Sequence, residues 1–376
     1  MFSGTYGRGA AAAAVARAGW LAAMLETEAA LARAGAAAGS VPPEAADAIA
    51  AACRPERFDA DELEREAAAH ATPVIGLVAA LREAVGAPYA PFVHAGATSQ
   101  DVLDTAFVLI ARRALKATLA DARAAADAAA ALAAAHRETP IVGRTLGRQA
   151  LPTTFGLKAA GWMTALDRAC AEVARAEGQL AVQLGGPVGA GDPALTAALA
   201  RELRLPEPVL PWHTDRTRVA TLGGALGTLA GALAKVARDT ILLGADEVGE
   251  VREGAGGRGG SSSMAHKRNP VAAISVLACA GRVPGLVGTL LATMAAEHER
   301  AAGAWQAERG AASDLLALTG SAAAWGRDLL EHLEIDTGRM AANLALLERA
   351  GVPGASRVPT GAAALVDRAL AAHWGA

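Results

Sequence analysis

An all-α fold follows from three features of the 376-residue chain: alanine dominates, glycine and proline punctuate long segments, and the Val/Ile/Thr alternation of strands is nearly absent. Hydrophobic residues make up 53% of the chain but aromatic residues only 3%. Small side chains therefore carry the apolar total, and they let helix axes approach closely. A chain of this length would ordinarily divide into two or three domains.

Residues 1–100 carry shorter helical stretches separated by prolines at Pro42-Pro43, Pro55, Pro73, Pro88 and Pro91; they are expected to form a small N-terminal helical domain. Residues 101–138 contain neither glycine nor proline and predict one helix about 57 Å long at 1.5 Å per residue. Thr98 and Ser99 precede it as candidate N-caps. Further long helices are predicted at about 153–184, 214–251, 270–297 and 302–333, with Pro284 bending the one that begins near Pro270. Together they make a bundle domain over 101–343. Helices this long outrun one subunit's need for a core and predict bundling between subunits. Residues 344–376 leave room for a short C-terminal segment with one helix over 361–373.

A formal net charge of −3 argues against a nucleic-acid surface, so any positive field for an anionic substrate must be local. Cys53, Cys170 and Cys279 are odd in number and show no C-x-x-C spacing, which suits reduced thiols in the cytoplasm and offers no metal cluster. No uninterrupted apolar run long enough to span a bilayer is expected; the Ala-rich stretch around residues 10–25 is broken by Arg17. A secretory leader pattern is absent, and a cytoplasmic location is expected.

Four polar segments stand out. Residues 259–270 read Gly-Gly-Ser-Ser-Ser-Met-Ala-His-Lys-Arg-Asn-Pro: hydroxyls, a lysine and an amide crowd into a loop with little to bury. Backbone N–H groups, a fixed cation and the N-terminus of the following helix can face one carboxylate there. A flexible linker accounts for residues 254–263 but not for His266-Lys267-Arg268-Asn269-Pro270. Residues 93–101, Val-His-Ala-Gly-Ala-Thr-Ser-Gln-Asp, place Thr98, Ser99 and Gln100 at a helix N-terminus, where they either cap the helix or hold an anion. His94, a lone histidine in a turn, stays a candidate contact. Arg144, Thr145, Arg148 and Gln149 precede a helix that starts after Pro152, either as a solvated connector or as part of a site. Glu299 and Arg300 lie near the predicted start of the last long helix, with Trp305, Gln306 and Arg309 beyond.

Gly260-Ser261-Ser262-Ser263-Met264-Ala265-His266-Lys267-Arg268-Asn269 resembles Gly-Ser-Ser-x-Met-x-x-Lys-x-Asn, the signature of the fumarase/aspartase superfamily, which includes argininosuccinate lyase, adenylosuccinate lyase and 3-carboxy-cis,cis-muconate cycloisomerase. Residues 94–101 are similar to its first shared region. The resemblance implies a small N-terminal helical domain, a central five-helix bundle, and a homotetramer with a twenty-helix core whose active sites each draw on three subunits. It also implies a C-terminal helical domain, which looks cut down here. Three departures are visible. Ala265 replaces the usual proline, and Arg148 the usual glutamine. Leu146 follows Thr145 where most relatives have the histidine of a proton relay, and leucine can neither relay a proton nor bond a carboxylate.

The cycloisomerases also lack that histidine. Their sequences resemble this chain at Arg144-Thr145, over Gln149 to Trp162, at Tyr6 to Ala11 and at Trp20-Leu21. Adenylosuccinate lyases bind the nucleotide phosphate with serines near positions 305 and 306, and the Trp305 indole cannot take that role. By resemblance, Ser261 transfers the proton, while Lys267 and Asn269 hold the carboxylate on which charge develops. Thr98, Ser99 and Gln100 hold another carboxylate. Arg144, Thr145, Arg148, His266, Arg268 and Arg300 join the substrate-binding residues, with His94 a candidate contact.

The chemistry implied is proton transfer at a carbon beside a carboxylate, through a doubly charged aci-carboxylate stabilised electrostatically. It needs no cofactor or metal, and its partner is a small polycarboxylate rather than nucleic acid or membrane. Three activities fit: cycloisomerisation of 3-carboxy-cis,cis-muconate in protocatechuate breakdown; elimination of an amino, nitro or N-linked group from a succinate-like acid to give fumarate; and a non-catalytic, crystallin-like structural role. Retention of Ser261, Lys267 and Asn269 together speaks against the last.

Overall fold

In the computed structural model, which describes residues 5–254, 256–354 and 357–375, the longest helix begins where its sequence can satisfy its own first amides. The Asp101 carboxylate accepts the Thr98 N–H at 2.9 Å, a capping contact that also puts negative charge on the positive end of the helix dipole. Before it come α1 (Ala10–Ala14), α2 (Arg17–Ala37), α3 (Pro43–Ala52), α4 (Ala60–His70) and α5 (Val74–Val85). The long helix, α6, spans Ser99–Ala135 in 37 residues, about 55 Å. Its buried stripe through Ala122, Ala125, Ala126, Ala129, Ala130 and Ala133 lets its neighbours pack close.

A β-hairpin, which the sequence reading did not predict, follows. Strands β1 (Pro140–Thr145) and β2 (Arg148–Thr154) pair antiparallel with an irregularity between Val142 and Arg144. Leu146 and Gly147 make the turn with φ of 52° and 75°, a two-residue reversal with positive φ at both positions that matches strand twist. The hairpin leads into α7 (Phe155–Glu177), whose first turn is capped by Thr154 Oγ1 accepting the Leu157 N–H at 3.1 Å. Gly156 is required there: a Cβ would sit 2.7 Å from the carbonyl oxygens of Ala133 and His136.

The remaining elements are α8 (Pro193–Leu203), α9 (Thr217–Leu243), β3 (Val251–Glu253), α10 (Val271–Ala280), α11 (Val283–Ala292), α12 (Ala304–Glu331), β4 (Leu333–Ile335), α13 (Thr337–Arg349) and α14 (Gly361–Trp374). The helix expected over 270–297 is two helices. Its break falls at Gly281 and Arg282, and Pro284 lies in the first turn of α11, where its missing N–H leaves no bond unmade. Strands β3 and β4 pair antiparallel beside the loop that precedes α10.

The chain is mostly helical, as predicted, with α6, α7, α9, α10–α11 and α12 forming the bundle. Helix α6 packs on α7 and α12, α7 on α9, and α9 on α10, α11 and α12. The two ends of this bundle carry different chemistry. One end holds the start of α6 and the start of α12, joined where Arg309 bonds Asp104. The other holds the end of α6, the hairpin, β3, β4 and the 256–270 loop, joined where the Gly254 N–H reaches the His332 carbonyl at 2.7 Å.

Two segments, Thr217–Leu243 and Val271–Ala292, are long and apolar enough to cross a membrane by length and composition, against the expectation of none. Alanine, valine and leucine raise their mean hydropathy, and the segments are the bundle helix α9 and the helix pair α10–α11. The second leaves Ile274 and Leu291 exposed at 41% and 56%.

Candidate active site

At the α6-start end, two carboxylates three residues apart on α6 face inward. Asp101 is buried and accepts from Gln183 Nε2 (3.0 Å), Gly185 N–H (2.9 Å) and Gly186 N–H (2.9 Å), with His213 Nε2 at 2.6 Å. Asp104, fully buried, takes both terminal nitrogens of Arg216 at 2.9 and 3.0 Å and Arg309 Nη2 at 3.0 Å. Arg216 also donates through Nε to Glu308 at 2.9 Å. Burial alone would push the Asp104 carboxyl up; Arg216 and Arg309 outweigh it and hold the group below its ordinary range. Burial draws Arg216 the other way, yet Asp104 and Glu308 leave its pKa raised.

This network fixes the start of α6. Gln100 Nε2 donates to the His213 carbonyl at 2.8 Å and to Asp104 at 3.2 Å, which leaves its amide oxygen to accept Arg300 Nε at 3.1 Å. Arg300 further reaches Thr98 Oγ1 at 3.4 Å and the Gly186 carbonyl at 3.3 Å. All three acceptors are neutral, and among the described residues Arg300 has no carboxylate partner. A partly buried guanidinium thus stands at a helix N-terminus with uncompensated charge, and an anion would be favoured there. Thr98, Gln100 and Arg300 are brought together, with half-buried Ser99 at the first helical position. Arg300 lies in the loop ahead of α12 rather than on that helix, which starts at Ala304. His94 sits just upstream, its Nδ1 2.6 Å from Glu28 Oε1.

The other end carries the remaining candidates. Ser261 Oγ accepts the Met264 N–H at 3.2 Å and the Ser263 N–H at 3.4 Å. Asn269 closes the loop: its backbone N–H and its Nδ2 both donate to the Gly259 carbonyl, at 2.7 and 3.1 Å. Gly259 has φ of +81°, and a Cβ there would lie 2.3 Å from the Asn269 oxygen. Arg258 ties the loop stem to Asp328 on α12. His266, Lys267 and Arg268 are exposed, and among the described residues none of them forms an ion pair. With Asn269 they line a cavity of about 1070 Å³ against β3, β4 and the segment after α9.

Two expectations are corrected here. The N-terminus of the helix after the loop is not open to a ligand: Glu253 Oε2 and Oε1 already accept the Ala272 and Ala273 N–H groups at 3.0 and 2.9 Å. Arg144 is not a free cation either. It forms a two-pronged pair with buried Glu250 at 2.8 and 2.9 Å, and Asn343 Nδ2 steadies the same carboxylate at 2.8 Å. Thr145, Leu146 and Arg148 project from the hairpin tip, with Leu146 101% exposed.

One copy therefore does not unite the four polar segments. Arg309 and Asp328, which mark the two clusters, lie towards opposite ends of α12, a helix of 28 residues and about 42 Å. Sequence reasoning missed Asp104, His213 and Arg216 as the frame of the α6 start. Asp101 and Asp104 on an otherwise apolar turn were the available signal, since buried carboxylates demand partners.

A family model described as lyase matches residues 8–285. A nitrosuccinate lyase from Streptomyces davaonensis is 46% identical over 352 residues, covering 89% of this chain and 74% of that protein. A 3-carboxy-cis,cis-muconate cycloisomerase from Bradyrhizobium diazoefficiens is 45% identical over 307 residues, covering 79% and 68%. Among solved structures, the 3-carboxy-cis,cis-muconate lactonizing enzyme from Pseudomonas putida superposes with a TM-score of 0.92 at 36% identity, covering 100% of this chain and 99% of that one.

Proposed function

Because this chain belongs to the lyase family, within the fumarase/aspartase superfamily of enzymes, we propose that it is a 3-carboxy-cis,cis-muconate cycloisomerase. A substrate carboxylate oxygen adds to one carbon of a double bond, a proton enters the adjacent carbon, and a carboxylated lactone forms. The observation that carries this reading is the Ser261 hydroxyl, held by two backbone N–H groups on a loop that also bears Lys267. Serine is a feeble base, and amide donors with a nearby cation are what its oxyanion form requires. Lys267 and Asn269 hold the carboxylate beside the reacting carbon, and loop closure over it excludes water. Leu146 supports lactonisation over the lyases that keep a histidine relay, since the hairpin tip offers no imidazole.

The site is proposed to form between subunits of a homotetramer. The Thr98–Arg300 end of one copy would meet the Ser261 loop and the hairpin tip of others, with His266 and Arg268 beside the substrate. Arg300→Leu is then expected to raise KM about tenfold or more, the scale of a lost charged hydrogen bond; an unchanged KM would remove Arg300 from the site. Arg148, proposed as an added anion contact at the hairpin tip, gives a smaller effect. Substrate affinity measured for Arg148→Gln should fall a few-fold, about 1 kcal/mol, and unchanged affinity discards that role.

The Streptomyces davaonensis relative supports a second reading, elimination from nitrosuccinate. A proton leaves the carbon beside a carboxylate, the C–N bond breaks, and nitrite departs as fumarate forms. Ultraviolet spectroscopy with a nitrite assay separates the two. Loss of the conjugated diene without nitrite supports cycloisomerisation; fumarate and nitrite from nitrosuccinate overturn it in favour of elimination. Turnover of neither acid by the folded protein would leave elimination of an amino or N-linked group, tested with a panel of substituted succinates, and the structural role.

A further inference from the structure

We propose that Glu28 is a positioning residue of this site: its carboxylate accepts the Nδ1–H of His94, fixes the ring, and leaves Nε2 as the nitrogen presented to a bound acid. The inference rests on reading the Thr98–Gln100 helix start as a seat for a substrate carboxylate. Glu28 lies on α2, a helix otherwise committed to packing, with Leu25, Ala29, Ala30 and Leu31 buried around it. It is itself 1% exposed. A carboxylate in that setting is costly unless paired, and an apolar residue would serve the packing better. Among the described residues its pairing is with the imidazole alone: Oε1 lies 2.6 Å from His94 Nδ1, while Oε2 is buried without a partner there.

Arg33, the neighbouring cation on α2, is engaged by Glu202 and does not neutralise it. The nearby Cys53 thiol is pushed up to about 12, by burial first and then by the Glu28 charge. His94 holds φ at +66°, a left-handed conformation that is unfavourable for a non-glycine residue. The ring is kept against Glu28 despite that cost, four residues before Thr98. Among the described residues Nε2 has no hydrogen-bond partner. A carboxylate behind one nitrogen of a histidine sets which nitrogen faces the ligand.

Two measurements test this. Histidine-selective 15N NMR of the wild-type protein, with His94 assigned by its loss in His94→Gln, should show a protonated Nδ1 that is no longer fixed in Glu28→Gln. An unprotonated Nδ1 in the wild type overturns the proposal. In kinetics, Glu28→Gln should lower kcat/KM about 10–100-fold, and Glu28→Gln/His94→Gln should be no slower than His94→Gln alone, because Glu28 acts through the ring. Losses that multiply, or an unaffected kcat/KM in Glu28→Gln, also overturn it. If the wild type turns over neither acid, the functional reading fails, and the Nδ1 measurement still decides the role of Glu28.

Discussion

Ser261→Ala is expected to lower kcat by about 10³-fold or more, within the 10² to 10⁴ range of a positioned acid–base group, while the folded protein stays as stable as the parent. The two halves of that expectation have separate causes. Stability should hold because the side chain is only half-buried and accepts two long bonds from its own loop, at 3.2 and 3.4 Å; surface changes of this kind usually stay within about 0.5 kcal/mol. Activity should collapse because alanine offers nothing that gains or gives a proton. Single-turnover kinetics alongside urea unfolding reads both at once. A variant with parental kcat would remove the serine from the chemistry, and with it the reading of the loop.

The bundle geometry extends this prediction. Ser261 and Arg300 lie at opposite ends of one copy, so a site that uses both must draw them from different copies. Mixing Ser261→Ala with Arg300→Leu under conditions that exchange subunits should restore part of the activity, because some sites then combine two unsubstituted ends. No recovery, with exchange confirmed, would place the two residues in unrelated roles.

How much could be read beforehand depends on whether the deciding force was local. The α6 boundaries follow from a glycine- and proline-free run with a capping sequence, and the helix expected over 101–138 is found at Ser99–Ala135. Pro284 marked its helix break for the same reason: proline acts on its own turn. The hairpin at 140–154 was hidden because Pro140, Gly147 and Pro152 read as loop. Its strands are selected by pairing with each other and by the positive φ at Leu146 and Gly147, not by propensity. The loop signature made Ser261, Lys267 and Asn269 candidates, but spacing alone could not show that Glu253 would occupy the α10 N-terminus or Glu250 would claim Arg144. Those partners lie far from their targets in sequence, and a carboxylate's destination is settled by packing.

The same distinction sets the largest stability effect. Arg216→Met should destabilise the protein by about 3–5 kcal/mol, the cost of removing one member of a buried ionic group. It strands the Asp104 and Glu308 carboxylates, with Arg309 left to serve Asp104 alone. The pH dependence gives the sign. The folded Asp104 pKa lies below its ordinary value of 3.8, so its contribution is complete above that value and is lost as pH falls through the folded pKa. Without Arg216 the depression shrinks. Urea unfolding should therefore show the full gap between wild type and variant at pH 7, and a gap that narrows as the pH drops below about 4. A gap that stays constant down to pH 3 would mean that Asp104 draws no net stabilisation from Arg216, and that the helix start is organised by Asp101 and its backbone donors instead.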